Sequence, residues 1–397
     1  MNKRIKCGIL CTVFCLFSIT AFGQKTEFRL NKELREHVEE SLLDGMDTLS
    51  NQIELLYGHL DSSGTKIVTS RFGGGNYFYP ASSVKLPVLL LALEWVNTLN
   101  DSLITEETPI VFNSSFSCVP APRKKTYPVD TASIINCIKQ ILLVSDNTSY
   151  NTLFHLLGRS HIKNELRKKG FPQTQILKSF VGCSSEKHNN LPGISFVTRG
   201  NDTLHYRNDT TITYQYDSME VEPMTVYKFF RRGKLVVDTI DYSKSNYLPL
   251  TEGLEMLLRL IKPELYPLSK QWNITQEQRE VILKYMSIYP RESKLEKYSN
   301  YEDYPDSFKK YFMYGFLKKE RISDPVRIYN IVGLASGFAT DIAYIENQKT
   351  KDGFFLAGSV FTNENGKYSN GYSNYRKQAF PFFTRLGWSI YNDVYEP

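Results

Sequence analysis

Apolar residues recur at helical spacing near the start of the chain, at Leu34, Val38, Leu42 and Met46, which predicts a helix from Asn31 to Leu49. The pattern then changes period. Ile53 to Leu60 and Lys66 to Ser70 read as strands joined by a turn at Ser62-Ser63-Gly64. After Gly73-Gly74-Gly75, Pro80 precedes an almost continuously apolar helix reaching Leu99, and a helix so apolar belongs in a core. Helical patterning continues over Asp130 to Val144, Thr148 to Leu157 and Arg159 to Lys169. From Phe171 to Leu248 the chain reads as irregular loop with polar β-prone stretches at Thr210 to Tyr216 and Lys234 to Thr239, a possible hairpin insertion. Helices return at Thr251 to Ile261 and Thr275 to Met286.

The C-terminal stretch is strand-like over Arg327 to Ala335, Phe338 to Glu346 and Phe354 to Thr362, and a last helix covers Phe380 to Tyr391. The order is helix, two strands, many helices, three strands, helix. That order predicts an α+β fold, an α/β sandwich whose antiparallel sheet is assembled from both chain ends with an all-helical domain inserted between them. The expected division is 1–23 as an export signal, 24–79 as the first helix and strands, 80–315 as the helical part with the loop insertion, and 316–397 as the closing strands and helix.

Composition changes this picture little. The 397 residues carry a formal charge of +6. It falls to about +3 if the segment holding Lys3, Arg4 and Lys6 is cleaved off. Such a balance gives no footprint for nucleic acid. Those three residues, the apolar run Cys7 to Phe22 and the small residues of Ala21-Phe22-Gly23 read as a secretory signal, with Gln24 as the mature N-terminus and a periplasmic or secreted destination. No later run is long and apolar enough to span a bilayer. Cleavage would leave Cys118, Cys137 and Cys183, enough for one bridge and no disulfide scaffold. Metal-ligand spacings are missing too, so neither metal nor organic cofactor is expected.

Candidate chemistry begins at Ser82-Ser83-Val84-Lys85. Ser-x-x-Lys also occurs at Ser63, Ser160, Ser184 and Ser307, but only Ser82 opens a strongly apolar helix. A helix start offers free N–H groups to an oxyanion. Lys85 lies one turn on, and burial there lowers an ammonium pKa towards the range of a useful base. Alone, the segment also fits a capping serine followed by a solvated lysine. Ser145-Asp146-Asn147 lies between two predicted helices, where it can present a hydroxyl and an amide to a cleft. It too would serve as a plain N-cap.

In combination, these segments resemble the class A β-lactamase and penicillin-binding set of Ser-x-x-Lys, Ser-Asp-Asn and Lys-Thr-Gly. Pro80 to Lys85 matches the nucleophile segment and Leu143 to Thr148 the second motif. Val332 to Asp341 resembles the third-motif strand and the start of the next. Tyr289-Pro290-Arg291-Glu292 and Phe380 to Gly387 resemble a Bacteroidetes-type branch of that superfamily.

The resemblance implies an exported serine hydrolase acting on a β-lactam or cell-wall peptide, and a monomer is expected. It implies Ser82 as nucleophile, Lys85 as proton acceptor, Ser145 as proton shuttle to the leaving nitrogen and Asn147 as ligand of the substrate amide. Gly333 would let substrate approach the strand, and the N–H groups of Ser82 and Leu334 would form the oxyanion hole. Two departures stand out. Ile331-Val332-Gly333 replaces Lys-Thr-Gly, and the loop carboxylate that activates the deacylating water is missing, with Glu186 the nearest acid. These departures point to an alternative: a penicillin-binding or D-alanyl-peptidase-like protein with slow deacylation, or a weak cell-wall-peptide binder.

Overall fold

The computed structural model describes residues 31–61, 63–99, 101–116, 132–180, 189–198, 202–215, 217, 226–231, 234–239, 242–293, 295–315, 321–322, 325–363 and 373–395. The expected signal segment, Cys118, Cys183 and Glu186 lie outside them.

Helix α1 occupies residues 31–41. Strands β1 (Glu54–Leu60) and β2 (Ile67–Phe72) follow as a hairpin. A 3₁₀ turn at Ala81–Val84 leads directly into α2 (Lys85–Leu99). Next come β3 (Ile110–Phe112), α3 (Ile134–Val144), α4 (Asn147–Leu157) and α5 (Arg159–Lys168). Among the described residues, the region read as loop with a hairpin insertion contains six short strands, β4 (Asn190–Leu191), β5 (Ile194–Val197), β6 (Thr203–Arg207), β7 (Thr210–Thr211), β8 (Val226–Arg231) and β9 (Lys234–Thr239). β8 and β9 form the hairpin, while β5 and β6 join β3 in a separate small sheet. Segments this short give little alternation to read.

Two further helices, α6 (Leu250–Ile261) and α7 (Gln276–Ser287), precede a single kinked turn, α8 (Tyr311–Tyr314). The chain closes with β10 (Val326–Ala335), β11 (Phe338–Asn347), β12 (Gly353–Phe361) and α9 (Ala379–Tyr395). Among the described residues no helix is long and apolar enough to cross a membrane.

The main sheet runs β10-β11-β12-β1-β2, antiparallel throughout, so strands from both chain ends meet at the β12–β1 pair. This is the expected α+β architecture. Side chains alternate across a strand, and β10 uses both faces. Ile331 joins the core shared with α2, α3, α4, α6 and α7, whereas Val326, Ile328 and Val332 join the core beneath α1, α8 and α9. A sheet covered on both sides has near-continuous apolar strands, and Phe354–Phe361 is buried at every position. β10 is an edge strand. The nucleophile turn docks against β10 at Gly333.

Candidate active site

Two adjacent serines open the site, and the structure separates their roles. Ser83 is fully buried, and its hydroxyl donates to the Pro80 carbonyl at 2.7 Å, tying the turn together. Ser82 is half-buried and lines a cleft of about 380 Å³ together with Ser145, Asn147, Lys309, Val332 and Leu334. Ala81, just before it, has φ of +45°, a left-handed backbone rare for a residue with a Cβ. Such strain persists only where the surroundings impose it. Here β10 presses on the turn: a Cβ at Gly333 would lie 2.2 Å from the Pro80 oxygen. Glycine is therefore required for the nucleophile turn itself to reach the strand, a reason beyond the substrate approach expected from the motif.

Lys85 begins α2 with no exposed surface. Its Nζ donates to the Ser145 carbonyl at 2.5 Å, the Ser145 hydroxyl at 3.0 Å and the Asn147 side-chain oxygen at 2.7 Å. Burial, reinforced by the Lys309 charge and opposed by Asp146, lowers its pKa to about 7. Phe180 places its ring 5.2 Å from the same Nζ. An amine so held exists in both protonation states near neutrality, as a proton-transfer group requires.

The Ser145-Asp146-Asn147 junction owes its shape to two helix ends. Ser145 closes α3 in the left-handed conformation, φ 58° and ψ 42°, and Asp146 caps α4 by accepting from the Ser149 N–H at 2.7 Å. Asp146 thus holds the junction by a local backbone bond, while Ser145 and Asn147 face Lys85. Ser82, Lys85, Ser145 and Asn147 are brought to one place.

The third motif differs in a way the spacing concealed. Ile331 is fully buried towards the helical core and contributes nothing to the cleft, whose β10 wall is Val332 and Leu334. Arg327 pairs with Glu292 at 3.0 Å and stacks over Tyr289, so it replaces nothing in the cleft. Lys349, Thr350 and Lys351 sit exposed in the β11–β12 turn.

Several cleft residues were missed by sequence reasoning, among them Arg376 and Lys309. Lys309 is only 5 % exposed, and its Nζ donates to the Ile141 carbonyl at 3.2 Å and to that of Leu142. Burial pulls its pKa down to about 7, against an opposing pull from Asp341. A signal existed in Phe308-Lys309-Lys310-Tyr311-Phe312, where aromatic flanks on both sides argue for burial of the lysines between them.

Comparison with known proteins follows this geometry. Residues 40–211 match the Beta-lactamase2 model, described as the Beta-lactamase enzyme family, a span containing both the nucleophile turn and the Ser145–Asn147 junction. A β-lactamase structure from Burkholderia phymatum aligns with a TM-score of 0.50 at 11 % identity, covering 92 % of this chain and 99 % of that one. One from Xanthomonas campestris pv. campestris gives 0.49 at 14 %, covering 91 % and 97 %. The structure of PBP-A gives 0.48 at 13 %, covering 93 % and 97 %. No curated protein sequence matches the chain. The alignment to the Burkholderia phymatum structure gives the chain the β-lactamase and transpeptidase fold. The resemblance read first from two motifs agrees with the family match over residues 40–211.

Proposed function

We propose that this chain is an exported serine hydrolase that opens a β-lactam or related amide through a covalent acyl-Ser82 intermediate. The observation that carries the reading is Lys85. It is buried one helical turn from Ser82, held near neutrality in charge, and bonded to Ser145 and Asn147 in the cleft that Ser82 lines.

In this reading neutral Lys85 takes the Ser82 hydroxyl proton while Oγ bonds to the carbonyl carbon. The first N–H groups of a helical turn lack intrahelical acceptors, so the Ser82 N–H, with that of Leu334 across the Pro80–Gly333 contact, is suited to hold the oxyanion. The C–N bond then breaks. The leaving nitrogen takes the Ser145 proton, and Ser145 recovers one from the Lys85 ammonium. Water finally hydrolyses the ester, regenerating Ser82. Asn147 receives the substrate amide.

Phe180 favours slow completion of that last step. Its ring, not a carboxylate, is what residues 171–180 present to Lys85. A long-lived acyl-enzyme, in the manner of a penicillin-binding protein, is the form of the reading that this contact supports. The test is covalent labelling with a fluorescent penicillin: the wild-type chain is labelled and Ser82→Ala is not, whereas equal labelling of both rejects Ser82 as nucleophile.

A further inference from the structure

We infer that Lys309 is the carboxylate-binding cation of this cleft, supplied from the loop before α8 in place of the charge that the third-motif strand lacks. The inference rests on the acyl-serine reading of the same site and names the substrate class it selects: amides carrying a carboxylate.

Lys309 and Lys310 are adjacent, both buried, and used differently. Lys310 Nζ donates to the Met286 carbonyl at 2.7 Å, the Ile328 carbonyl at 2.6 Å and the Asn330 side-chain oxygen at 2.9 Å. An ammonium has three donors, so Lys310 is saturated, and it is not part of the cleft wall. Lys309 has two protein acceptors among the described residues and does line the cleft beside Ser82. As an ammonium it keeps a third N–H for which no acceptor stands among the described residues. No carboxylate is ion-paired with it among the described residues. Asp341, which accepts from the Tyr311 and Phe312 N–H groups and from Asn330, acts on Lys309 only beyond pairing distance.

The position is built, not incidental. Lys309 holds φ of +67°, unusual for a side chain of its size. Asn330 Nδ2 donates to its carbonyl at 2.6 Å. Upstream, Arg291 grips the fully buried Asp306 with two bonds of 2.8 and 3.0 Å. The Ile141 and Leu142 carbonyls belong to the last turn of α3, where helix polarity favours a cation. Among the described residues, the other charges near the cleft are Lys85, Asp146, Lys310, Asp341 and, exposed at its mouth, Arg376. An incompletely paired cation in a low-dielectric wall binds an anion more strongly than one in water.

The test uses the full chain in a Ser82→Ala background, so that binding is read without acylation. Calorimetry compares benzylpenicillin with its methyl ester. Lys309→Met should weaken the acid about tenfold or more and leave the ester unchanged. Lys310→Met should change the acid-to-ester ratio in neither direction, and a circular dichroism spectrum matching the parent confirms that each variant folds. Equal weakening of acid and ester, no change for either, or no binding of either to the Ser82→Ala parent would overturn the assignment. Acylation of Ser82 in the otherwise wild-type chain is scored separately. Equal rates with acid and ester would retain the acyl-serine reading and remove Lys309 from it.

Discussion

Gly333 and Pro80 touch: the strand backbone comes so near the nucleophile turn that a Cβ at position 333 would lie 2.2 Å from the Pro80 oxygen. The contact fixes Ser82 relative to the Leu334 N–H. Gly333→Ala should therefore push the two apart, costing about 1–3 kcal/mol of stability as overpacking does and slowing Ser82 acylation by more than the fraction unfolded explains. Denaturant unfolding and labelling rates of the same preparation check this. Unchanged labelling in a destabilised variant would separate the contact from catalysis.

Lys85 sets a pH profile. Its amine must be neutral to accept the serine proton, and burial lowers its pKa to about 7. Acylation should rise with pH through about 7 and level off above it. Lys85→Arg should abolish it, because guanidinium stays protonated. A pH series of labelling rates provides the measurement.

Stability follows the same groups with a definite sign. In the unfolded chain a lysine titrates near its ordinary value, so between about pH 7 and 10 the unfolded state binds more protons at Lys85 and Lys309 than the folded state. Stability from these groups must rise with pH over that window. Lys85→Met should remove part of the rise and raise stability at pH 7, as relieving a buried catalytic charge does. Thermal unfolding at pH 7 and 9 resolves the difference.

The Arg291–Asp306 pair braces the loop that carries Lys309. Arg291→Met leaves the Asp306 carboxylate buried without its partner. The expected cost is about 2–3 kcal/mol, below the figure for a fully buried pair because Arg291 keeps some solvent contact. Asp306→Asn retains the shape and should cost less. Chemical denaturation of the two variants decides.

How much of this could be read from the chain alone depends on where its signals are local. The five strands of the main sheet and most helices around it are long apolar or periodic runs, so their chain order and their assembly into one antiparallel sheet from both chain ends were legible, while α8 was not. Ser82-Lys85 and Ser145-Asn147 were legible because residues at fixed spacing on helix ends need no tertiary information to be placed. The opposite holds for Lys309. Its role comes from α3 carbonyls more than 160 residues away, and a lysine in isolation reads as solvated. Ile331 shows the same limit: motif alignment gives its register but not that the cleft wall is made by Val332 and Leu334. The short strands between β4 and β9 carry too few residues for alternation to declare them.

The most direct measurement is intact-protein mass spectrometry over time after mixing the chain with benzylpenicillin, in parallel with Ser82→Ala. The account predicts one added penicillin per wild-type chain, decaying slowly, and none on the variant. A wild-type chain that neither gains the mass nor consumes the penicillin, or a variant that gains it equally, would contradict acyl transfer through Ser82.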